Sequence, residues 1–167
     1  MEFIFLNSTF LKDYATCSEI VKKEFRPYTM VLATIDNIDF AIPLRSNINH
    51  IHVVWTDKTN KCGLDLSKTV IINDKDKYID YSNKPHIRQN EFDALRGKEH
   101  YVKQKLETYI KKYIKALNKR SSPDNDMLCK YSTLQYFHRE LGINDVEKEE
   151  IAQAINEAAA TIEKNNA

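Results

Sequence analysis

The run "FAIPLRSNINH", residues 40–50, starts as an apolar strand, meets Pro43, and then presents an arginine, a serine, two asparagines and a histidine. Those residue types suit acid–base work on a phosphodiester. Arginine carries a forked, permanent charge, hydroxyls and amides offer positioned hydrogen bonds, and histidine exchanges protons near neutral pH. Cleaving RNA without a metal ion means aligning the ribose 2′-hydroxyl on phosphorus, removing its proton, neutralising the phosphorane oxygens and protonating the leaving 5′-oxygen. On chemistry alone, Arg45 is expected to clamp the phosphorane and His50 to shuttle a proton. Arg26, His52, His86 and Arg88 fall in or beside the same half of the chain. Pro43 reads as the end of the strand, which puts the polar groups on a rim loop of the kind where sites are commonly built. A plainer reading stands beside this one: asparagine-rich loops often satisfy only their own backbone. His50 and His52, alternating with Ile51 and Val53, also fit the solvent face of a strand.

Other enzyme signatures are missing. The sequence has no glycine-rich phosphate loop, GxSxG, HExxH or paired acidic metal motif on a helix, and its three glycines nearly exclude a nucleotide-cradling loop. No cofactor or metal is expected. Cys17, Cys62 and Cys129 lack zinc-site spacing and read as small, partly buried thiols. The formal net charge of +1 hides an uneven distribution: nine lysines and arginines face two glutamates between Arg96 and Arg120, whereas the last 24 residues are acidic. No apolar run approaches the roughly 20 residues that span a bilayer, and the N-terminus lacks the basic start of a signal peptide, so a cytoplasmic protein with no membrane partner is expected.

The elements that must position these groups follow from periodicity. At 167 residues, 42% hydrophobic and 29% charged, the chain suits one globular domain over 1–167, β-rich through 90 and helical from 91. "EFIFL" reads as a strand, with Ser8 or Thr9 capping a helix to about Glu24 that turns Leu11, Tyr14, Ala15 and Ser18 inward. "YTMVLATI", "DFAIPL", "IHVVW" and "TVII" read as strands, the first two joined by a turn at Asp36-Asn37. A long helix follows, with Val102, Leu106, Tyr109, Tyr113 and Leu117 as its apolar stripe. Lysines lie on its other faces, and Tyr101, Tyr109 and Tyr113 among them suit base stacking. A helix from about Met127 to Leu141 carries His138 on its apolar face, read as a hydrogen-bonded core histidine. A last helix opens with Asn144 and Glu147 as a capping box. Strands first and helices later make the fold class α+β.

Four stretches then carry a family resemblance: "FIFLNSTFLKDY", "RPYTMVLATIDNIDFAIPLRSNINH", "IRQNEFDALRGKEHYVKQKL" and "CKYSTLQYFHREL". In that order they resemble the toxins of type III toxin–antitoxin systems, the group of ToxN, AbiQ, CptN and TenpN. The resemblance implies a compact, strongly bent antiparallel sheet, a MazF/ToxN-like barrel, surrounded by helices. It implies a metal-independent endoribonuclease that cuts single-stranded RNA to 2′,3′-cyclic phosphate and 5′-hydroxyl ends. Its partners would be target mRNA and a repeat-derived, pseudoknot-like antitoxin RNA that inhibits it in a closed hetero-oligomer. Carried over by position, the family's catalytic serine is Ser46 and a basic residue is Arg26. The ToxN branch has a lysine where this chain has Ile48 and a tyrosine where it has Phe10. Tyr28, Asn47, His52, Arg88, Lys98, Lys103, Lys105 and Lys112 are the expected RNA contacts. Two rivals use overlapping features: a non-catalytic RNA-binding module needs the basic helix and tyrosines alone, and a protein-interaction domain would use the acidic C-terminal helix.

Overall fold

The computed structural model describes residues 1–22 and 28–143. Arg26 and the helix expected from Asn144 lie outside the described residues. The elements in chain order are β1 (Glu2–Ile4), α1 (Ser8–Asp13), β2 (Met30–Ile35), β3 (Ile38–Arg45), β4 (Val53–Asp57), β5 (Cys62–Asp65), β6 (Val70–Ile71), α2 (Lys75–Tyr78), α3 (Gln89–Leu95), α4 (Glu99–Leu117) and α5 (Pro123–Tyr131). The fold is mixed α+β.

The expected barrel does not form. The sheet is open, ordered β1-β2-β3-β5-β4 with β6 added beside β3, and β1 and β4 end it without pairing to each other. Helix α3 lies against β4 and, through Phe92 on Phe3 at 6.2 Å, against β1. A helix satisfies its hydrogen bonds internally, so it covers sheet edges without joining them into a closed ladder.

β2 and β3 form the predicted hairpin, Ile35 opposite Ile38, with Asp36 and Asn37 at φ of 50° and 63°. Both central residues in the left-handed region make a turn whose twist matches the strands, and Asp and Asn tolerate it best after glycine. β3 does not stop at Pro43 but continues to Arg45. The Leu44 N–H bonds to the Thr29 carbonyl at 2.8 Å. Successive N–H groups point to opposite sides, so position 43 faces away from β2. On that side β3 pairs with β6 at Phe40–Ala41 and with β5 at Leu44–Arg45. Pro43 falls in the gap between the two partners, where no donor is required. β5, which holds the lower end of β3, carries "CGLD", a strand the sequence does not announce because glycine and aspartate are weak strand formers.

Two helices differ from their sequence reading. α1 ends at Asp13, and its N-cap is Asn7, whose side chain accepts from the Phe10 N–H at 3.1 Å. The side chain it buries is Phe10, stacked on Tyr14 at 4.5 Å, whereas Ala15 and Ser18, expected to face inward, are exposed. The later helix begins at Pro123, a residue suited to a first helical position, and ends at Tyr131 before a 3-10 turn over Thr133–Tyr136. α4 matches its predicted stripe, with Ala116 more deeply buried than Leu117. His138 is hydrogen-bonded as expected, 2.7 Å from the Tyr113 hydroxyl, but it is half-buried and lies beyond the helix rather than on its apolar face. Cys17 is half-buried and Cys62 and Cys129 are buried, all as free thiols. Among the described residues no helix is long and apolar enough to cross a membrane.

Gly63 sits where β5 passes closest to β4: a Cβ there would stand 2.5 Å from the Val54 carbonyl oxygen. Because that contact is with backbone, relief requires the two strands to separate. Gly63→Ala is expected to lower stability by about 1–3 kcal/mol, read as a reduced urea midpoint with an unchanged slope.

Candidate active-site cleft

A cleft of about 1350 Å³ opens between the start of α1, the beginning of β2, the end of β3 and the loop that leads into α3. Five of the residues singled out from sequence for RNA chemistry line it: Tyr28, Arg45, Ser46, His86 and Arg88. Lys12, Lys84, Asp80 and Glu91 join them. Local backbone bonds explain the convergence. The Asn7 N–H donates to the Tyr78 carbonyl and the Asp80 N–H to the Phe5 carbonyl, both at 2.9 Å, which ties the turn before α1 to the segment entering the loop. The Thr29 hydroxyl donates to the His86 carbonyl at 3.1 Å, while the Thr29 carbonyl accepts from Leu44. His86 and Leu44, the residue before Arg45, are therefore joined through Thr29 across one wall.

Arg45 is held from behind by a buried carboxylate. Its Nη1 donates to Asp65 Oδ2 at 2.5 Å, and Asp65 is wholly buried. The other oxygen, Oδ1, accepts from the Ser67 N–H at 3.0 Å and the Ser67 hydroxyl at 2.6 Å. His50 Nε2 stands 3.3 Å from the same oxygen. Its Nδ1 accepts from the His52 N–H at 3.2 Å, which leaves Nε2 as the nitrogen that carries the proton toward Asp65. Burial by itself would raise the Asp65 pKa; the bonds from His50 and Ser67 and the charge of Arg45 outweigh it and hold the carboxyl below the ordinary range. The result is a permanent anion that fixes the guanidinium while leaving part of it, 29% exposed, at the cleft.

His50 does not line the cleft, and both of its ring nitrogens are bonded within the protein. Its geometry suits holding Asp65 more directly than exchanging protons with a substrate. His52 packs on Tyr109 at 5.1 Å; burial, then the nearby positive charge of Lys112, pushes its pKa down to about 4. At neutral pH it carries no charge for a phosphate. Asn47, at φ 59°, is an exposed turn residue whose carbonyl accepts from the Asn49 side chain. Lys98, Lys103, Lys105 and Lys112 lie on or beside α4 and away from the cleft lining. Lys103 pairs with Glu99 at 3.3 Å and Lys105 lies over the Tyr101 ring. Tyr109 and Tyr113, expected among the stacking surfaces, are buried, whereas Tyr101 is exposed. Ile48 and Phe10, which stand where the ToxN branch has a lysine and a tyrosine, are both core residues at 3% and 0% exposure.

Asp65 is not among the residues singled out from sequence, although a lone acid within the apolar run "CGLDLSK" carries a signal. A carboxylate with strand neighbours on both sides is rarely buried unless paired. Asp65 also caps the 3-10 turn Leu66–Lys68, the local reason for an Asp two residues before a Ser. Lys12, Lys84 and Glu91 give no comparable sequence signal, because only the fold brings α1, the 80–88 loop and α3 to one cleft. Among the described residues no group of three or more histidine, cysteine or carboxylate side chains converges as a metal centre requires. Compared with protein-family models, curated proteins and solved structures, the chain matches none.

His52 makes a pH prediction with a definite sign. Its folded pKa of about 4 lies below the ordinary value of 6.5, so between those limits the unfolded chain binds a proton that the folded protein does not. Stability contributed by neutral His52 is complete above pH 6.5 and is lost as pH falls toward 4, by up to about 1.4 kcal/mol per pH unit. Urea unfolding at pH 7 and pH 4.5 is expected to show a larger acid loss for the native chain than for His52→Gln.

Proposed function

We propose that this chain is the toxin of a type III toxin–antitoxin system, a cytoplasmic endoribonuclease that cuts single-stranded RNA without a metal ion. The products carry 2′,3′-cyclic phosphate and 5′-hydroxyl ends, and repeat-derived antitoxin RNA inhibits the enzyme within a closed toxin–RNA hetero-oligomer. The observation that carries this reading is the cleft that gathers Arg45, Ser46, Tyr28 and Arg88 with further cations, Arg45 being braced by Asp65. The reading rests on that cleft and on the four resembling stretches, and not on a barrel.

Arg45, preoriented by an anion it cannot leave cheaply, offers its exposed N–H groups to the phosphorane oxygens, where preorganised donors act most strongly. The Ser46 hydroxyl and the Tyr28 ring sit at the same cleft to position phosphate and base. Lys12, Lys84 and Arg88 form no ion pair among the described residues and are available to the backbone on either side of the scissile bond. The exposed lysines Lys98, Lys105 and Lys112 and the exposed Tyr101 extend a basic surface for the longer RNA partner.

Incubating the purified protein with end-labelled single-stranded RNA in EDTA is expected to yield cyclic-phosphate ends. Arg45→Ala and Ser46→Ala should each slow cleavage about 10²- to 10³-fold, the cost of losing one transition-state donor. Full cleavage by both variants, with melting temperatures showing folded protein, would discard the assignment. Intact RNA in a retarded complex would instead make the chain a binding module. Replacing Lys105 or Lys112 with alanine should flatten the salt dependence of RNA affinity by about 0.7 in log–log slope for each phosphate the protein no longer neutralises. Phenol extraction of the purified protein is expected to release a short repeat-derived RNA.

A further inference from the structure

The proposed reaction needs a group that removes the 2′-hydroxyl proton, and neither Arg45 nor His50 provides one. Arg45 remains protonated, and both nitrogens of His50 are committed elsewhere. Among the described residues two carboxylates line the cleft, Asp80 and Glu91. They differ in what already holds them.

Asp80 organises its own loop. Oδ1 accepts from the Ser82 hydroxyl at 2.5 Å and the Ser82 N–H at 2.9 Å, and Oδ2 accepts from the Asn83 side chain at 2.8 Å. Those bonds push its pKa down to about 2, which makes it a reluctant proton acceptor. Glu91 is held differently. Only 7% of the residue is exposed, yet it lines the cleft, and among the described residues its carboxylate has no ion-pair or hydrogen-bond partner. Buried carboxylates are ordinarily paired, because leaving their lone pairs unsatisfied is costly. Neither Glu91 oxygen is among the buried side-chain atoms left without a partner, so the carboxylate, unpaired among the described residues, reaches the cationic cleft and has its acceptor capacity open to what enters there.

The fold gives Glu91 a fixed place. It lies in the first turn of α3, three residues after Arg88, with Phe92 packed on Phe3 next to it. Arg88 occupies the N-cap position of the helix, and the Thr29–His86 bond ties the loop two residues earlier to the wall that carries Arg45. One short segment therefore holds Glu91, Arg88 and His86 at the cleft that Ser46 and Arg45 also line. A carboxylate here would repel a phosphate unless cations outnumbered it. Lys12, Arg45, Lys84 and Arg88 do so.

We infer that Glu91 is the general base of the cleft, accepting the 2′-hydroxyl proton of a single-stranded RNA substrate; this rests on the endoribonuclease reading above. The 2′-O–H bond breaks and its proton passes to the carboxylate as the 2′-oxygen bonds to phosphorus. The P–O5′ bond breaks, and the 5′-oxygen takes a proton from His86, the cleft's histidine. The products are a 2′,3′-cyclic phosphate and a 5′-hydroxyl, with no electron transferred to or from the protein.

The test begins by mapping a cleavage site with the native chain and then measuring rates at that site. Glu91→Gln is expected to slow cleavage about 10²- to 10⁴-fold, with unchanged affinity for a 2′-deoxy version of the RNA that cannot react. A 5′-bridging phosphorothiolate at the site supplies a leaving group that needs no proton. On it His86→Ala should recover its rate while Glu91→Gln stays slow. Glu91→Asp, which keeps the carboxylate but shortens its reach, covers the case in which glutamine disrupts α3: it should fold and retain a measurable, reduced rate. If the native chain cuts RNA and folded Glu91→Gln cuts as fast, or recovers on the phosphorothiolate, the assignment of Glu91 is wrong and the nuclease reading stands. If the native chain does not cut RNA, both fall.

Discussion

The buried carboxylate of Asp65 is the constraint from which the geometry of the site follows. Removing a carboxylate from water costs several kcal/mol unless close partners replace its hydration. Here the replacements come from three parts of the chain: Arg45 at the end of β3, His50 in the loop that follows, and Ser67 two residues beyond Asp65 itself. The same bonds that make burial tolerable therefore set where the guanidinium can be. An arginine at a strand end would otherwise sample many rotamers; held at 2.5 Å by an anion, it presents one face to the cleft.

That arrangement requires β5 to lie beside β3, and Pro43 helps to decide it. With no N–H to give on the side away from β2, β3 can leave β6 and take β5 as its partner within a few residues. The helical half then locks the turn after β5. The Thr133 hydroxyl bonds the carbonyls of Ser67 and Thr69, the Tyr109 hydroxyl bonds Ser132 at 2.8 Å, and Lys68 reaches both Glu19 and the Tyr131 carbonyl. Helices that look peripheral to the chemistry thus hold the anion that holds the arginine. Helix α3 packs against both end strands, β1 and β4, which do not pair with each other.

Local patterns are legible wherever one element's own spacing decides the outcome. The hairpin at Asp36-Asn37, the stripe of α4 and the hydrogen-bonded His138 all sit in such patterns. Strand β5 and the short α1 are not legible, since a glycine–aspartate strand is stabilised by its partners and α1 stops at Asp13 although the apolar residues continue beyond it. "RSNINH" reads as one site, but its residues separate: Arg45 and Ser46 face the cleft, Ile48 enters the core, and His50 turns back toward Asp65. A loop's side chains are sorted by what lies beneath them, which the loop itself does not encode.

The residue types available for phosphate chemistry, the mixed α+β class and the faces of the long helix were all present in the order of the amino acids, because each depends on composition or on a period of about two or 3.6 residues. Packing in three dimensions decided that the sheet remains open, that Asp65 is the counter-ion of Arg45, and that Glu91 lies at the cleft without a partner among the described residues. Those outcomes join residues far apart along the chain. Their energies come from desolvation and pairing across elements, to which no local spacing corresponds.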